Sequence, residues 1–97
     1  MMNRPVNIAV VGTGIGRYHA RGISEMPELA RLIAICDVNE AAARALASEY
    51  KAESYTSSYD ELIRRKDVDA VSLCVPHDLH RDMAMAAARA GKHILVE

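Results

Sequence analysis

The sequence predicts a single α/β domain with a doubly wound parallel sheet, and two patterns support this prediction. Short apolar runs rich in β-branched residues are typical of strands that are buried on both faces of a parallel sheet. The segments between these runs carry apolar residues three or four positions apart, which is the spacing of a helix with one buried side. With 97 residues, the chain has room for one such domain.

Strands and helices are predicted to alternate along the whole chain. Strong strands are expected at 6–11, 31–36, 70–75 and 93–96, and a weaker, polar edge strand is expected around 53–56. Three helices are indicated by mostly apolar residues that fall three or four positions apart: Ile15, His19, Ile23 and Met26; Ala42, Leu46 and Tyr50; and Leu79, Met83, Ala87 and Ala90.

Two helix boundaries are marked by capping residues. Ser58 and Glu61 have the spacing of a capping box, which predicts the start of a further helix that ends near Arg65. Gly91 supplies a left-handed stop after Ala90. With right-handed crossovers, this order of elements gives a sheet covered on both faces. In the Rossmann-type arrangement, the strand order is 3-2-1-4-5 and a ligand crevice opens where the first and fourth strands diverge.

The composition is that of an ordinary globular protein, with 51% hydrophobic and 26% charged residues. The net charge of -1 provides no electrostatic attraction to nucleic acid or to an anionic membrane. The longest apolar runs have the length of strands and no signal-peptide pattern precedes the first one, which predicts a cytoplasmic protein. Cys36 and Cys74 lie in apolar runs without a CxxC partner, so they are expected to be inert core thiols.

A glycine-rich turn, Gly12-Thr13-Gly14-Ile15-Gly16, follows the first strand. Gly12 permits a tight turn, and Gly14 lets a pyrophosphate approach bare backbone at the positive end of a helix. In the GxGxxG pattern the third glycine belongs at position 17, where this chain has Arg17. Either the turn is one residue shorter and Gly16 makes the close helix-to-strand contact, which we favour, or the Arg17 guanidinium binds phosphate. A turn that binds no ligand is the alternative to both.

Asp37 ends the second strand about 20 residues after the glycine turn, as expected for a ribose-binding acid. A carboxylate there would accept both ribose hydroxyls and would repel the 2′-phosphate of NADP. Val38 and Asn39 bring no adjacent cation to offset that charge, so the sequence favours NAD over NADP. The alternative role of Asp37 is that of a helix cap.

The fourth strand leads into a loop that contains Val75, Pro76 and His77. A proline at the carboxyl end of a strand stops ladder pairing and directs the loop over the crevice, where a nicotinamide ring is expected. His77 is expected in this loop near the cofactor, and His80 is expected to pack or hydrogen bond at the start of the last helix. With Asp78 as the nearby carboxylate, the two histidines make a poor metal set, so no metal is predicted.

These motifs together resemble the Gfo/Idh/MocA family of oxidoreductases. Segments 69–80 and 87–97 are similar to its D-A-V, T-P-N-x-x-H and A-G-K-H-V-x-x-E-K-P patterns, and segment 12–20 is similar to G-x-G-x-x-G-x-x-H-A with a shortened spacing. The chain departs from the family at Val75, where the usual residue is Thr, and at His77, where it is Asn. It therefore lacks the family's hydroxyl and amide at these two positions.

The resemblance implies the NAD(P)-binding Rossmann domain of an enzyme that acts on a sugar, polyol or related alcohol. In the family the lysine of E-K-P lies next to the nicotinamide and acts in hydride transfer, and Glu97 matches the residue before it. The chain is thus expected to be cut before that lysine and before a C-terminal substrate domain, and to bind cofactor without catalysing a reaction. The implied cofactor-binding residues are Gly12, Thr13, Gly14, Ile15, Gly16, Asp37, Val38, Val75, Pro76, His77, His80 and Glu97.

Two other functions stay open at this point. One is a stand-alone regulatory module that binds a dinucleotide without chemistry, and the other is a methyltransferase-like domain that binds S-adenosylmethionine at the same kind of turn. The apolar strand at 94–96, with no closing helix after it, favours a cut chain over the stand-alone module. Its exposed edge predicts self-association.

Overall fold

The computed structural model describes residues 4–96 and shows a five-stranded sheet in which every neighbouring pair is parallel. The strand order is β3-β2-β1-β4-β5, which confirms the predicted Rossmann-type α/β fold. Within these residues, no helix combines the length and the apolar character needed to span a bilayer. The elements are β1 (Val6–Val11), α1 (Gly16–Ser24), β2 (Ala30–Cys36), α2 (Glu40–Tyr50), β3 (Tyr55–Thr56), α3 (Tyr59–Arg64), β4 (Ala70–Leu73), α4 (His77–Arg89) and β5 (His93–Val96).

The sheet separates two apolar layers, and successive residues of β1 point into opposite ones. Val10 packs with Ile23 of α1 and Leu46 of α2 on one face. Ala9 and Val11 belong to the other layer, together with the buried residues of α3 and α4. Because both faces of β1 are covered, the strand needs apolar residues at consecutive positions. This explains the continuous apolar run in the sequence.

The predicted caps are present, one of them in altered form. The Ser58 hydroxyl oxygen accepts the N–H of Glu61 at 3.2 Å, as in a capping box. The N–H of Ser58, however, donates to the hydroxyl oxygen of Thr56 at 3.0 Å, in the place of the reciprocal bond to Glu61. Gly91 follows α4 with a φ of 79° and donates its N–H to Ala88 at 3.0 Å, as predicted for a left-handed stop.

The end of β4 differs from the prediction, because the strand stops at Leu73 and not at Val75. Its neighbour β1 ends at Val11, whose carbonyl accepts the N–H of Cys74 at 2.8 Å. After Val11 the chain turns away at Gly12, so β1 offers Val75 no further ladder partner.

The start of α4 also differs from the prediction. His77 is the first residue of the helix and not a loop residue. Pro76 serves as the N-cap, and its carbonyl accepts the N–H of Leu79 at 3.0 Å. A proline needs no partner for its missing N–H, so the helix begins directly after it.

Candidate functional site

The carboxyl ends of β1, β2 and β4 border a crevice of about 410 Å³. It lies at the switch point of the sheet, where the connections from β1 and β4 leave toward opposite faces. A groove of about 480 Å³ at the opposite end of the sheet is lined by none of the predicted site residues that lie within 4–96. The crevice is lined by Val11, Gly12, Thr13, Gly14, Cys36, Asp37, Val38, Ser57, Tyr59, Cys74, Val75, Pro76, Leu79 and Met83.

The glycine turn forms one rim of the crevice, and Gly12 is essential to its shape. Its φ is 99°, and a Cβ at this position would lie 2.2 Å from the carbonyl oxygen of Cys74. A Cβ at Gly14 would meet no atom of residues 4–96 within 4 Å, so the backbone there is open to a ligand. Within residues 4–96, the N–H groups of Gly14, Ile15 and Gly16 have no protein acceptor. These donors, at the amino end of α1, suit phosphate oxygens.

The structure decides between the two interpretations of the irregular glycine pattern. A Cβ at Gly16 would lie 2.8 Å from Cγ1 of Val10, so the glycine allows α1 to pack closely on β1. Arg17 points elsewhere, because its guanidinium forms an ion pair with Glu49 of α2 at 2.6 Å. The shortened turn is therefore confirmed, and Arg17 is absent from the crevice wall.

Asp37 is joined to the glycine turn by two hydrogen bonds. Its Oδ2 accepts the N–H of Thr13 at 3.0 Å and the Thr13 hydroxyl at 2.8 Å. Its Oδ1 accepts the N–H of Asn39 at 2.9 Å. Asn39, and not Asp37, caps α2 by accepting the N–H of Ala42 at 3.1 Å, so the helix-cap alternative is wrong. Val38, beside this carboxylate, is 93% exposed.

The opposite wall contains residues that no sequence motif marks as part of the site. Tyr59 of α3 donates its hydroxyl to the carbonyl of Met83 in α4 at 2.7 Å, and both residues line the crevice with Ser57 and Leu79. Burial raises the pKa of Tyr59 to about 12, with a smaller contribution from Cys36. The sequence pattern predicts Leu79 and Met83 as core residues of the helix, since an i, i+4 apolar pair has the same spacing whether it faces the core or a ligand. Apart from Ser57, the residues of this wall are apolar or aromatic.

The loop after β4 reaches the crevice through Val75 and Pro76. His77 and His80 are not among the lining residues; their rings pack edge to face, with centroids 5.3 Å apart. Nε2 of His80 is buried and has no hydrogen-bond partner among the described residues. The role of these two histidines in binding stays a prediction, and Glu97 lies outside the described residues.

A buried polar contact lies beneath the turn. Ser72 of β4 is 1% exposed, and its hydroxyl oxygen is 2.9 Å from Nδ1 of His19 in α1.

Burial, and then the charge of Asp37, raises the pKa of the Cys36 thiol to about 11, as expected for an unreactive cysteine. In the described part of the chain, no three His, Cys, Asp or Glu side chains are arranged to hold a metal ion.

The fold and the crevice define the class as a dinucleotide-binding domain of the Rossmann type. Comparison with known proteins agrees, because the family described as "Oxidoreductase family, NAD-binding Rossmann fold", Gfo/Idh/MocA, matches residues 6–97. The chain therefore belongs to the Gfo/Idh/MocA oxidoreductase family and forms its NAD-binding domain. This assignment decides against the methyltransferase-like alternative.

The sequences of individual relatives align with this chain over nearly its whole length. The inositol 2-dehydrogenase of Rhizobium meliloti (strain 1021) is 41% identical over 93 residues, which are 95% of this chain and 27% of that protein. The uncharacterized oxidoreductase YrbE of Bacillus subtilis (strain 168) is 33% identical, over 99% of this chain and 28% of that protein. The chain thus spans little more than a quarter of the curated relatives it matches.

A solved structure superimposes closely on this fold. The scyllo-inositol dehydrogenase of Lactobacillus casei, with bound NAD(H) and scyllo-inositol, has a TM-score of 0.87 at 29% identity. The match covers 95% of this chain and 27% of that chain.

Proposed function

We propose that the crevice binds NAD in preference to NADP, as the cofactor site of an enzyme that oxidises or reduces a sugar, polyol or related alcohol. The observation that carries this proposal is Asp37, which is hydrogen bonded to the glycine turn at the rim of the crevice. A carboxylate here accepts from a ribose hydroxyl and repels a 2′-phosphate. Val38 next to it adds no positive charge.

The crevice and the amino end of α1 beside it would hold three parts of the cofactor. The open N–H groups of Gly14, which lines the crevice, and of Ile15 and Gly16, which do not line it, suit the pyrophosphate, and Asp37 suits the adenosine ribose. The apolar wall around Tyr59 suits the adenine ring. Val75 and Pro76 lie on the side of the crevice where the nicotinamide is expected, with His77 and His80 following them at the start of α4.

The substrate part of the proposal rests on the relatives, several of which are named inositol dehydrogenases. The cofactor, when bound, supplies the hydride chemistry. Hydride transfer also requires a substrate held against the nicotinamide, and the expected acid/base lysine would follow Glu97. We therefore propose that these 97 residues bind the cofactor without turning over substrate, and that the protein works in the cytoplasm with neither nucleic acid nor membrane as a partner.

Calorimetric titration with NAD, NADP and S-adenosylmethionine tests this proposal. We expect saturable binding of NAD, weaker binding of NADP and none of S-adenosylmethionine. Asp37→Ala should weaken NAD binding about tenfold or more, because it removes a charged hydrogen-bond acceptor. Asp60→Ala, at an exposed position of α3 that pairs with Arg64, is the matched control and should bind normally.

Two results would contradict the proposal. Saturable binding of S-adenosylmethionine alone would overturn the choice of cofactor. Robust oxidation of a polyol by the 97-residue chain with NAD would show that catalysis does not need the parts expected to follow Glu97.

A further inference from the structure

Among the residues that the structure describes, Thr13 supplies two of the three hydrogen bonds that the Asp37 carboxylate accepts. Its N–H and its hydroxyl both donate to Oδ2, at 3.0 and 2.8 Å. Oδ1 accepts one bond, from the N–H of Asn39 at 2.9 Å. The two oxygens of this carboxylate are therefore in different environments, although both belong to a residue that lines the crevice.

This difference limits what the carboxylate can offer to a ligand. A carboxylate oxygen accepts about two hydrogen bonds, so the two donors from Thr13 fill Oδ2. Oδ1 keeps room for about one more donor. The sequence alone suggested that Asp37 accepts both ribose hydroxyls, but with Oδ2 filled only one can be accepted at this carboxylate.

We propose that Thr13 is a positioning residue that sets the cofactor preference of the crevice through Asp37, and that Asp37 accepts a single ribose hydroxyl at Oδ1. This inference rests on the proposed binding of NAD. The Thr13 hydroxyl holds the carboxylate in one orientation before the ligand arrives, so binding does not have to restrict its rotation. The same restraint keeps the negative charge where it opposes a 2′-phosphate.

Variants of Thr13 test the positioning role. Thr13→Val removes the hydroxyl and keeps the shape of the side chain, whereas Thr13→Ser keeps the hydroxyl. We expect Thr13→Val to weaken NAD binding about tenfold, equivalent to about 1.4 kcal/mol, and to change NADP binding less than about twofold. Thr13→Ser should retain NAD affinity within about threefold.

The matched control is Thr56→Val, which makes the same change at a residue that does not line the crevice. Thr56 accepts the N–H of Ser58 through its hydroxyl, so this control also loses a local hydrogen bond. It should unfold more easily, yet its ratio of NAD to NADP affinity should equal that of the unaltered chain.

Analogues of NAD that each lack one hydroxyl of the adenosine ribose test the single contact. The unaltered chain should lose about tenfold in affinity for one analogue and less than about twofold for the other, because only one hydroxyl is bound to a charged acceptor. Similar losses for both analogues would overturn the single contact.

The remaining outcomes separate this inference from the proposed function. If Thr13→Val binds NAD as tightly as the unaltered chain, or if it loses NAD and NADP equally, Thr13 does not set the preference. If the unaltered chain binds neither dinucleotide, the proposed function fails and this inference fails with it.

Discussion

Three glycines near the start of the chain have three different physical roles. Gly12 combines a positive φ with a close approach to the carbonyl of Cys74, so no other residue fits there without a shift of backbone. Gly16 lets α1 pack on Val10, whereas a Cβ at Gly14 would meet no atom of the described residues within 4 Å. Gly12 and Gly16 are therefore required for the folded structure, whereas Gly14 leaves space for the ligand in the proposed function.

Substitution by alanine should separate these roles. Gly12→Ala should lower the free energy of unfolding by about 3 kcal/mol or more and abolish NAD binding, because the new Cβ collides with backbone. Gly14→Ala should change the free energy of unfolding by less than about 0.5 kcal/mol, since the space is open. Its affinity for NAD should nevertheless fall about tenfold or more, because the methyl group separates the pyrophosphate from the backbone.

Urea denaturation and calorimetric titration of both variants provide the measurements. Normal NAD binding by Gly14→Ala would contradict the proposed position of the pyrophosphate. Normal stability of Gly12→Ala would contradict the close approach of the two loops.

At the scale of the elements, Asp69 connects three strands at the end of the sheet opposite the crevice. Its carboxylate accepts two hydrogen bonds from the Arg4 guanidinium, at 2.8 and 3.0 Å, and one from the backbone N–H of Asn7 at 2.8 Å. Its backbone N–H donates to Asn7 in β1, and its carbonyl accepts the N–H of His93 in β5. Asp69, the residue just before β4, thus helps to fix the register of β4 with β1 and with β5.

This connection should make stability depend on pH in a defined range. The bond from Arg4, and then the N–H of Asn7, lower the pKa of Asp69 from 3.8 to about 2. Because the folded state favours the charged carboxylate, its contribution is complete above about pH 4 and is lost as the pH falls toward 2. Asp69→Asn should cost about 1 kcal/mol at neutral pH, after allowance for solvent screening, and should lose less stability between pH 4 and 2.

Urea denaturation of both proteins at several pH values between 5 and 2 measures this difference. Asp60→Asn, on the exposed side of α3, is the control and should follow the unaltered chain. Parallel curves for Asp69→Asn and the unaltered chain would show that the carboxylate does not contribute in this way.

At the scale of the whole molecule, the two edges of the sheet are unlike. β3 is a two-residue strand beside β2, too short to offer a long ladder. β5 pairs with β4 on one side, and its Leu95 is 49% exposed. An apolar edge strand is a template for pairing with another chain, so we expect the 97-residue chain to self-associate through β5.

Sedimentation over a range of concentrations tests this expectation. Leu95→Lys should shift the chain toward the monomer, because a charge on an edge strand opposes pairing. Leu29→Lys is the matched control: Leu29 is 64% exposed and precedes β2, away from β5, so its replacement should leave association unchanged. A monomeric unaltered chain, or an equal effect of both variants, would contradict a role for β5.

Most of the fold followed from patterns that are local in the sequence. Strands that are buried on both faces need continuous apolar runs, whereas helices that are buried on one side need an apolar residue at every third or fourth position. These two sequence patterns predicted the strands and the helices. The predicted carboxyl end of β4 and the predicted start of α4 differ from the structure by two or three residues. Both depend on what a neighbouring segment offers, namely the end of β1 at Val11 and the cap formed by Pro76.

The order of the elements, the glycine turn and the acid that follows β2 can all be predicted from the amino-acid sequence. The set of side chains that meet in the crevice depends on how the elements pack. Thr13 and Asp37 are 24 residues apart, as are Tyr59 and Met83, and Arg17 and Glu49 are 32 apart. Such pairs are formed by the packing of separate elements, and no local period encodes them. For that reason the class of dinucleotide-binding domains could be predicted from the sequence. The hydrogen bonds from Thr13 to Asp37 and the crevice wall at Tyr59 could not.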